Sequence, residues 1–300
     1  MNMMLALFPL LSLIAMGYVL KRTRFLQDEF WANAEKLNYF ILFPALLFTN
    51  LATVQLDVLS IAPVFFTLMS VILIVSIVLW GLKQLLNIPV RRFGVYMQSH
   101  IRFNTYMGLS IMGFMFGSAG MHLFAMIIAV AIPLVNIISV WSFTQHATGQ
   151  LGQTCVAILK NPLITACVLG LFFNYSGLGM WEGMAQWLKL LASSSLPLGL
   201  ISVGAALQFT QLKPTFWPVL VNSASRLVLV PLLTYAVAML VGLSQQHTAV
   251  LVVFFALPTA SASYILTRFF QGDSQLMAAI ISLQTLLFAG SFPLLMWLLF

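Results

Sequence analysis

The chain has 300 residues, of which 61% are hydrophobic and only 6% are charged. Soluble domains carry about 25% charged residues, so this composition excludes a soluble globular protein and predicts an integral membrane protein. The net charge of +7 comes without a basic cluster that would indicate nucleic-acid binding, and its distribution fits membrane topology better.

Apolar stretches long enough to cross a bilayer follow one another along the whole chain, since a span needs about 20 mostly apolar residues. They cover roughly residues 4–20, 36–54, 61–82, 93–116, 122–143, 161–176, 184–207, 216–240, 247–268 and 277–299. Strands are disfavoured because an open sheet leaves backbone groups unpaired in lipid, and these runs are too long for barrel strands. The sequence therefore predicts an all-α integral membrane protein with ten transmembrane helices.

Basic residues predict the orientation of these helices. With the N-terminus outside, the odd-numbered connections face the cytoplasm and hold Lys21, Arg22, Arg24, Lys36, Lys83, Arg91, Arg92, Lys160, Lys213 and Arg268. The outer connections hold Lys189 alone. This ten-to-one asymmetry is the positive-inside pattern. We therefore expect a multi-pass protein of the cell (inner) membrane with both termini extracytoplasmic.

The two halves of the chain repeat the spacing of their helix-breaking residues. The matching intervals are 35 residues in each half, followed by 60 and 61: Pro9 to Pro44 and Pro162 to Pro197, then Pro44 to Asn104 and Pro197 to Pro258. Because each half holds five spans, an odd number, the second half must insert upside down relative to the first. This predicts two inverted repeats, residues 1–143 and 161–300, joined by a cytoplasmic linker at 144–160.

Two spans at corresponding places in the halves carry polar and helix-breaking residues. Span four contains "RFNTYMGLSIMG", and span nine contains "FALPTASASYIL". Pro258 lacks an amide proton and clashes with the preceding turn, while the Asn104 side chain can satisfy freed backbone groups. Two broken helices that cross near the midplane would direct half-helix N-termini at one point, where an anion is favoured. The alternative is that these residues serve helix packing.

Two arginines, Arg102 and Arg226, lie within predicted spans. Each costs about 2.5–3.5 kcal/mol at the centre of a membrane helix. No Asp or Glu lies mid-span to pair with them, and the nearest, Asp57, is predicted at the outer end of span two. Unpaired cations at this depth indicate an anionic substrate, most simply a carboxylate. The alternative is that either arginine snorkels or binds backbone carbonyls.

The predicted substrate-binding residues are Arg102, Asn104, Thr105, Tyr106, Arg226, Pro258, Thr259 and Ser261. No catalytic residue, metal site or cofactor is expected, and coupling to H⁺ or Na⁺ is left open. His100 fits a proton relay or a hydrogen-bonded structural role. Cys155 and Cys167 lack metal-ligand spacing and are interpreted as structural.

Several motifs together resemble the auxin efflux carrier family of membrane transporters, in its prokaryotic form. They are "GYVLKRTRFLQDEF", "LNYFILFPALLFTNLA", "NTYMGL", "NPLITACVLGL", "SSSLPLGLISVGAAL", "RLVLVPLL" and "ALPTASASYILTRFFQGD". The resemblance implies a bile-acid sodium symporter-like fold of two inverted five-helix repeats with broken crossover helices 4 and 9. It also implies a scaffold of helices 1, 2, 6 and 7, an elevator-like transport domain, and organic-anion transport. Tyr106 and Ser110 depart from the family's usual "NTGFLGLP"-like pattern, where glycine and proline stand.

These observations predict a secondary active transporter that moves a small organic anion by alternating access at the crossover. The alternative is a sodium-coupled bile-acid-type symporter. A more distant alternative is an intramembrane enzyme, although the chain has no H-E-x-x-H motif and no paired mid-span aspartates. The expected partners are the substrate anion and membrane lipid, with no nucleic acid, and a homodimer is left open.

Overall fold

The computed structural model describes residues 3–53, 58–143, 161–209 and 216–300, and all regular structure in these ranges is helical. The helices are α1 Met3–Arg22, α2 Asp28–Leu37, α3 Phe43–Ala52, α4 Val58–Leu86, α5 Val90–Ile101, α6 Thr105–Phe143, α7 Pro162–Ser176, α8 Glu182–Ala205, α9 Phe216–Ala224, α10 Val230–Val241, α11 Gln245–Ala256, α12 Ala262–Phe269 and α13 Ser274–Leu299. The prediction of an all-helical fold is confirmed. The predicted linker, with Cys155, and Asp57 lie outside the described residues.

Several helical stretches are long and apolar enough to cross a membrane. Within the described ranges five such stretches occur: Ile61–Leu86, Val90–Phe143, Glu182–Ala205, Phe216–Val241 and Ser274–Leu299. Large apolar side chains cover the outer surface, and Leu240, for example, is 88% exposed. Burying apolar surface stabilises a protein in water, so a surface of this kind fits lipid and not solvent.

Two helices contain a widened π-turn immediately before a proline. Asn38–Leu42 joins α2 to α3, and Ser225–Leu229 joins α9 to α10. Pro44 and Pro231 occupy the second position of the helices that follow. In a regular α-helix the proline ring clashes with the carbonyl of the preceding turn, and proline has no N–H to donate to it. The extra residue of the π-turn widens the helix before the proline and so relieves this clash.

Three further interruptions divide the apolar runs. Gly117 breaks α6 with φ 61° and ψ −150°, a conformation that glycine adopts without a Cβ clash. Residues 102–104 separate α5 from α6, and residues 257–261 separate α11 from α12. The last two breaks include Asn104 and Pro258, the positions at which the sequence predicts them.

The described chain forms two compact units, each drawing on both halves of the sequence. Unit 1 comprises the described parts of Met1–Leu56, Leu109–Pro133 and Cys155–Ala206. Unit 2 comprises the described parts of Asp57–Gly108, Leu134–Thr154 and Leu207–Phe300. Both helix breaks at 102–104 and 257–261 therefore lie in unit 2, and their geometry can be described within that unit alone.

Unit 1 is held together by close backbone approach between α1 and α8. A Cβ added at Gly17 would lie 1.9 Å from the backbone oxygen of Ile201, and one added at Gly204 would lie 1.9 Å from the backbone oxygen of Ile14. Membrane helices associate through such small-residue contacts because lipid provides little hydrophobic driving force between them. The two glycines therefore fix the distance between these helices.

A buried polar pair adds specificity to the same unit. Asn38 Nδ2 donates to the backbone oxygen of Ser195 at 3.1 Å, and Ser195 Oγ donates to Asn38 Oδ1 at 2.8 Å. Asn38 lies in the first π-turn and Ser195 in α8. Because both side chains are buried, this reciprocal pair fixes the register between the two segments.

Candidate functional site

The two helix breaks of unit 2 contact each other through the backbone. The Asn104 amide N–H donates to the Pro258 carbonyl at 2.8 Å. Asn104 Oδ1 also accepts from the Met107 N–H at 3.2 Å, which makes it the N-cap of α6. Asn104 is buried. One residue therefore both starts the second half-helix and ties it to the opposite break.

Arg226 joins the ends of two other half-helices. Its fully buried guanidinium donates through Nε to the Leu257 carbonyl at 3.2 Å and through Nη1 to the His100 carbonyl. These carbonyls lie at the C-terminal ends of α11 and α5. A cation at a helix C-terminus offsets the negative end of the helix dipole. Arg226 therefore stabilises both half-helices at the point where they stop.

The geometry of Arg226 corresponds to the carbonyl-binding alternative left open by the sequence. Its remaining nitrogen, Nη2, is buried without a hydrogen-bond partner in the described part of the chain. The guanidinium carbon also lies 5.9 Å from the centre of the Phe255 ring, within cation–π range. A substrate contact through Nη2 stays a prediction.

A ring of uncharged polar side chains surrounds the second break. The Thr259 N–H donates to Gln284 Oε1 at 2.8 Å, and Gln284 Nε2 donates to Asn222 Oδ1 at 3.2 Å. Asn222 Nδ2 donates to Ser99 Oγ at 2.8 Å. The Thr259 hydroxyl closes the ring, 2.8 Å from the Ser99 carbonyl and 2.7 Å from Gln284 Oε1. These buried bonds connect α5, α9, α13 and the break.

His100 takes part in the same polar core. Its Nδ1 lies 2.9 Å from the Tyr96 carbonyl, and its Nε2 lies 3.1 Å from Ser225 Oγ. Because a carbonyl can only accept, Nδ1 carries the proton in the neutral ring and Nε2 accepts from the serine hydroxyl. The imidazole is thus fully hydrogen-bonded, which agrees with the structural role; a relay function stays a prediction.

Arg102 lies in the first break and not inside a regular helix. It follows the last residue of α5 and has φ −83° and ψ 147°. Its half-buried guanidinium donates through Nη1 to Gln98 Oε1 at 3.3 Å, and Gln98 Nε2 donates to Thr267 Oγ1 at 3.1 Å. Of the two intramembrane arginines, Arg102 is therefore the more accessible.

The predicted site residues divide by accessibility. All eight lie in unit 2. The buried framework consists of Asn104, Arg226, Pro258 and Thr259, and the half-buried rim consists of Arg102, Thr105, Tyr106 and Ser261. No group of three or more His, Cys, Asp or Glu side chains among the described residues could hold a metal ion. The rim residues are therefore the more exposed members of the predicted set.

Sequence reasoning missed the polar ring, although the sequence contains a signal for it. Ser99, Asn222 and Gln284 are uncharged and lie outside the two predicted helix breaks, whereas Thr259 of the same ring is among the predicted site residues. An amide inside an apolar run must find hydrogen-bond partners in a membrane protein. The stretches "VLVNSASRL" and "ISLQTLLF" each carry one, so mid-span amides are a sequence signal for Asn222 and Gln284, although not for Ser99.

Comparisons with known proteins agree on membrane transport. Residues 146–296 match the family model described as membrane transport protein. An "uncharacterized transporter" of Methanothermobacter thermautotrophicus is 25% identical over 290 residues, which is 95% of this chain and 94% of that protein. The apolar helices and these matches make the chain a multi-pass membrane protein. It belongs to the membrane transport protein family, that of the auxin efflux carriers.

Proposed function

We propose that this protein is a secondary active transporter that moves a small organic anion, a carboxylate, by alternating access. In this proposal ten transmembrane helices form two inverted five-helix repeats. The broken crossover helix 4 is α5 with the part of α6 before Gly117, and the broken crossover helix 9 is α11–α12. The family match supports transport, and the helix interruptions at the two corresponding positions support the repeat.

The contact between the two breaks carries the proposal. Asn104 and Pro258 are joined through the backbone, so both interruptions meet at one place within unit 2. Arg226 neutralises the C-terminal ends of α5 and α11. In the described part of the chain, no hydrogen bond or ion pair brings an Asp or Glu carboxylate to the N-terminal ends of α6 and α12. These ends therefore favour an anion.

The rim residues supply the remaining recognition in this proposal. The Arg102 guanidinium would form charge-assisted hydrogen bonds to the carboxylate, and the hydroxyls of Thr105, Tyr106 and Ser261 would contact the rest of the substrate. Unit 1 contains α1–α3, α7 and α8, which correspond to the scaffold helices 1, 2, 6 and 7 of the resemblance, together with residues Leu109–Pro133 of α6. The five whole helices support a separate scaffold, whereas the α6 segment is not part of the scaffold that the resemblance implies.

Reconstituted transport tests the role of Arg102. Uptake of a panel of dicarboxylates and aromatic acids would be measured in proteoliposomes for the wild type, for Arg102→Ala, and for the matched control Arg268→Ala. Arg268 is an exposed residue of α12 away from the breaks. Loss of a charged hydrogen bond of about 1.5–3 kcal/mol should raise the KM of Arg102→Ala by about tenfold or more, with the control unchanged.

A second pair of variants separates folding from recognition at Asn104. Asn104→Ala removes the cap of α6, whereas Asn104→Ser keeps a capping oxygen, so serine should restore the fold that alanine weakens. Wild-type uptake by both Arg102→Ala and Asn104→Ala would show that the site is misassigned. Repeating the assay with and without a sodium gradient decides the bile-acid-type alternative, which requires flux to follow sodium.

A further inference from the structure

A cavity of about 430 Å³ lies entirely within unit 1. Its walls are faces of two helices: Leu46, Thr49, Asn50 and Thr53 of α3 and its C-cap, and Ala185, Lys189, Ala192, Ser193 and Leu196 of α8. Both sets recur at helical spacing, and Met121 and Met180 complete the lining. The cavity shares no residue with the helix breaks, so it is separate from the site proposed for transport.

The charge in this cavity is unusual for its position. Lys189 is the single basic residue that the positive-inside pattern assigns to the outer side, against ten inside. It forms no ion pair with a carboxylate in the part of the chain that the structure describes. Lys189 is exposed and also lines a largely apolar cavity, so it provides a solvent-accessible cation for an anionic ligand.

The hydroxyl groups of the cavity offer oxygen acceptors. Thr49 Oγ1 donates its proton to the Ala45 and Leu46 carbonyls, and Ser193 Oγ donates to the Leu190 carbonyl at 2.8 Å. Each hydroxyl has a single proton, which it already donates, so it can take part in further hydrogen bonds only as an acceptor through its oxygen lone pairs. A matching ligand must therefore bring hydrogen-bond donors of its own to these oxygens.

We propose that this cavity is an outward-facing binding site for a hydroxycarboxylate with an apolar body. The carboxylate would pair with Lys189, the ligand hydroxyl would donate to Thr49 Oγ1, and the apolar part would lie against Leu46 and Met121. A cavity of this size falls in the range of small-molecule sites. The proposal does not depend on the transport site, since no residue of the two helix breaks takes part.

Binding of two matched probes tests the proposal. Mandelate and phenylacetate differ by one hydroxyl, and their affinities would be measured by calorimetry on the purified full chain in phosphatidylcholine nanodiscs. The wild type should prefer mandelate by about fivefold or more, the worth of one hydrogen bond. Lys189→Gln should weaken both probes by about tenfold or more, and Lys189→Arg should keep binding. Lys36→Gln should change nothing, because Lys36 is likewise an exposed lysine of the same unit but does not line the cavity.

A second variant tests the hydroxyl contact. Thr49→Val removes the acceptor while keeping the shape of the side chain, so mandelate should lose its advantage and phenylacetate should bind as before. Equal affinities of the wild type for the two probes, or binding that ignores Lys189→Gln, would overturn the proposal. Normal transport by the Lys189 variants leaves it standing, because the readout is binding.

Anionic lipid carrying headgroup hydroxyls presents the same chemistry as the proposed ligand. The measurement is therefore repeated in nanodiscs containing phosphatidylglycerol. Mandelate binding that persists there supports a free hydroxycarboxylate. Binding that disappears, together with Lys189-dependent retention of phosphatidylglycerol by the purified protein, would identify a lipid site and overturn the proposal.

Discussion

Two arginines of similar predicted depth have different roles in the structure. Arg226 is fully buried and donates hydrogen bonds from two of its nitrogens to backbone carbonyls. Arg102 is half-buried and donates to a glutamine side chain. A buried charge is tolerated only when it is well hydrogen-bonded, so the position of Arg226 requires both carbonyls. Arg102 is only partly buried, so a ligand would reach its side chain more readily than that of Arg226.

Replacing Arg226 should therefore lower stability more than replacing Arg102. Arg226→Met removes the charge but leaves the His100 and Leu257 carbonyls buried without these donors, at about 1–3 kcal/mol each. Arg226→Lys should recover part of the loss, since an ammonium can still donate. Thermal unfolding in detergent, with Arg102→Met as the control, measures the difference. An unfolding temperature of Arg226→Met equal to that of the wild type would contradict this assignment.

At the scale of elements, each interruption of a helix has an identifiable cause. The π-turns precede Pro44 and Pro231, the break in α6 occurs at Gly117, and the break after α11 occurs at Pro258. The break after α5 has no proline; there the Asn104 side chain caps the next helix. Proline and glycine disrupt the helix directly, whereas Asn104 acts by stabilising a new start.

Close packing of α1 on α8 gives a prediction at this scale. Gly17→Val places atoms where the Ile201 carbonyl lies, so the helices must separate and stability should fall by about 1–3 kcal/mol or more. Gly204→Val should act in the same way from the other helix. Gly81→Ala is the control, because a Cβ there meets nothing within 4 Å. Thermal unfolding that ranks Gly81→Ala below both valine variants would be incompatible with this packing.

At the scale of the whole molecule, the chain distributes its charge by membrane side. Ten of its basic residues belong to connections predicted inside, and the single outer exception lines the cavity of unit 1. Charged segments are retained on the cytoplasmic side during insertion, so the asymmetry sets the orientation. With this orientation, both termini are predicted to be extracytoplasmic.

Cysteine labelling checks this orientation. In a background with Cys155→Ser and Cys167→Ala, a cysteine at Gly179 should react with an impermeant maleimide in intact cells. A cysteine at Thr23 should react only after permeabilisation, because its connection is predicted inside. Both positions are exposed. The reverse pattern of labelling would mean that the chain inserts in the opposite orientation.

Much of the candidate site could be anticipated from residue types alone. The breaks at Asn104 and Pro258 follow from a polar residue and a proline inside apolar runs, and both lie in non-helical segments of the structure. The partners of these residues could not be anticipated. Ser99, Asn222 and Gln284 come from three separate helices, and pairing over 62 to 160 positions along the chain is not encoded in local patterns.

The sequence by itself determined the helical class, the membrane environment and the positions of the two breaks, because these depend on local hydrophobicity, on proline geometry and on charge counts. Only the tertiary structure decided that Arg226 is fully buried and binds the carbonyls of two half-helix ends, whereas Arg102 is partly buried and binds Gln98. Those roles depend on which distant backbone groups come within about 3 Å of a guanidinium, and only the folding of the chain brings them there.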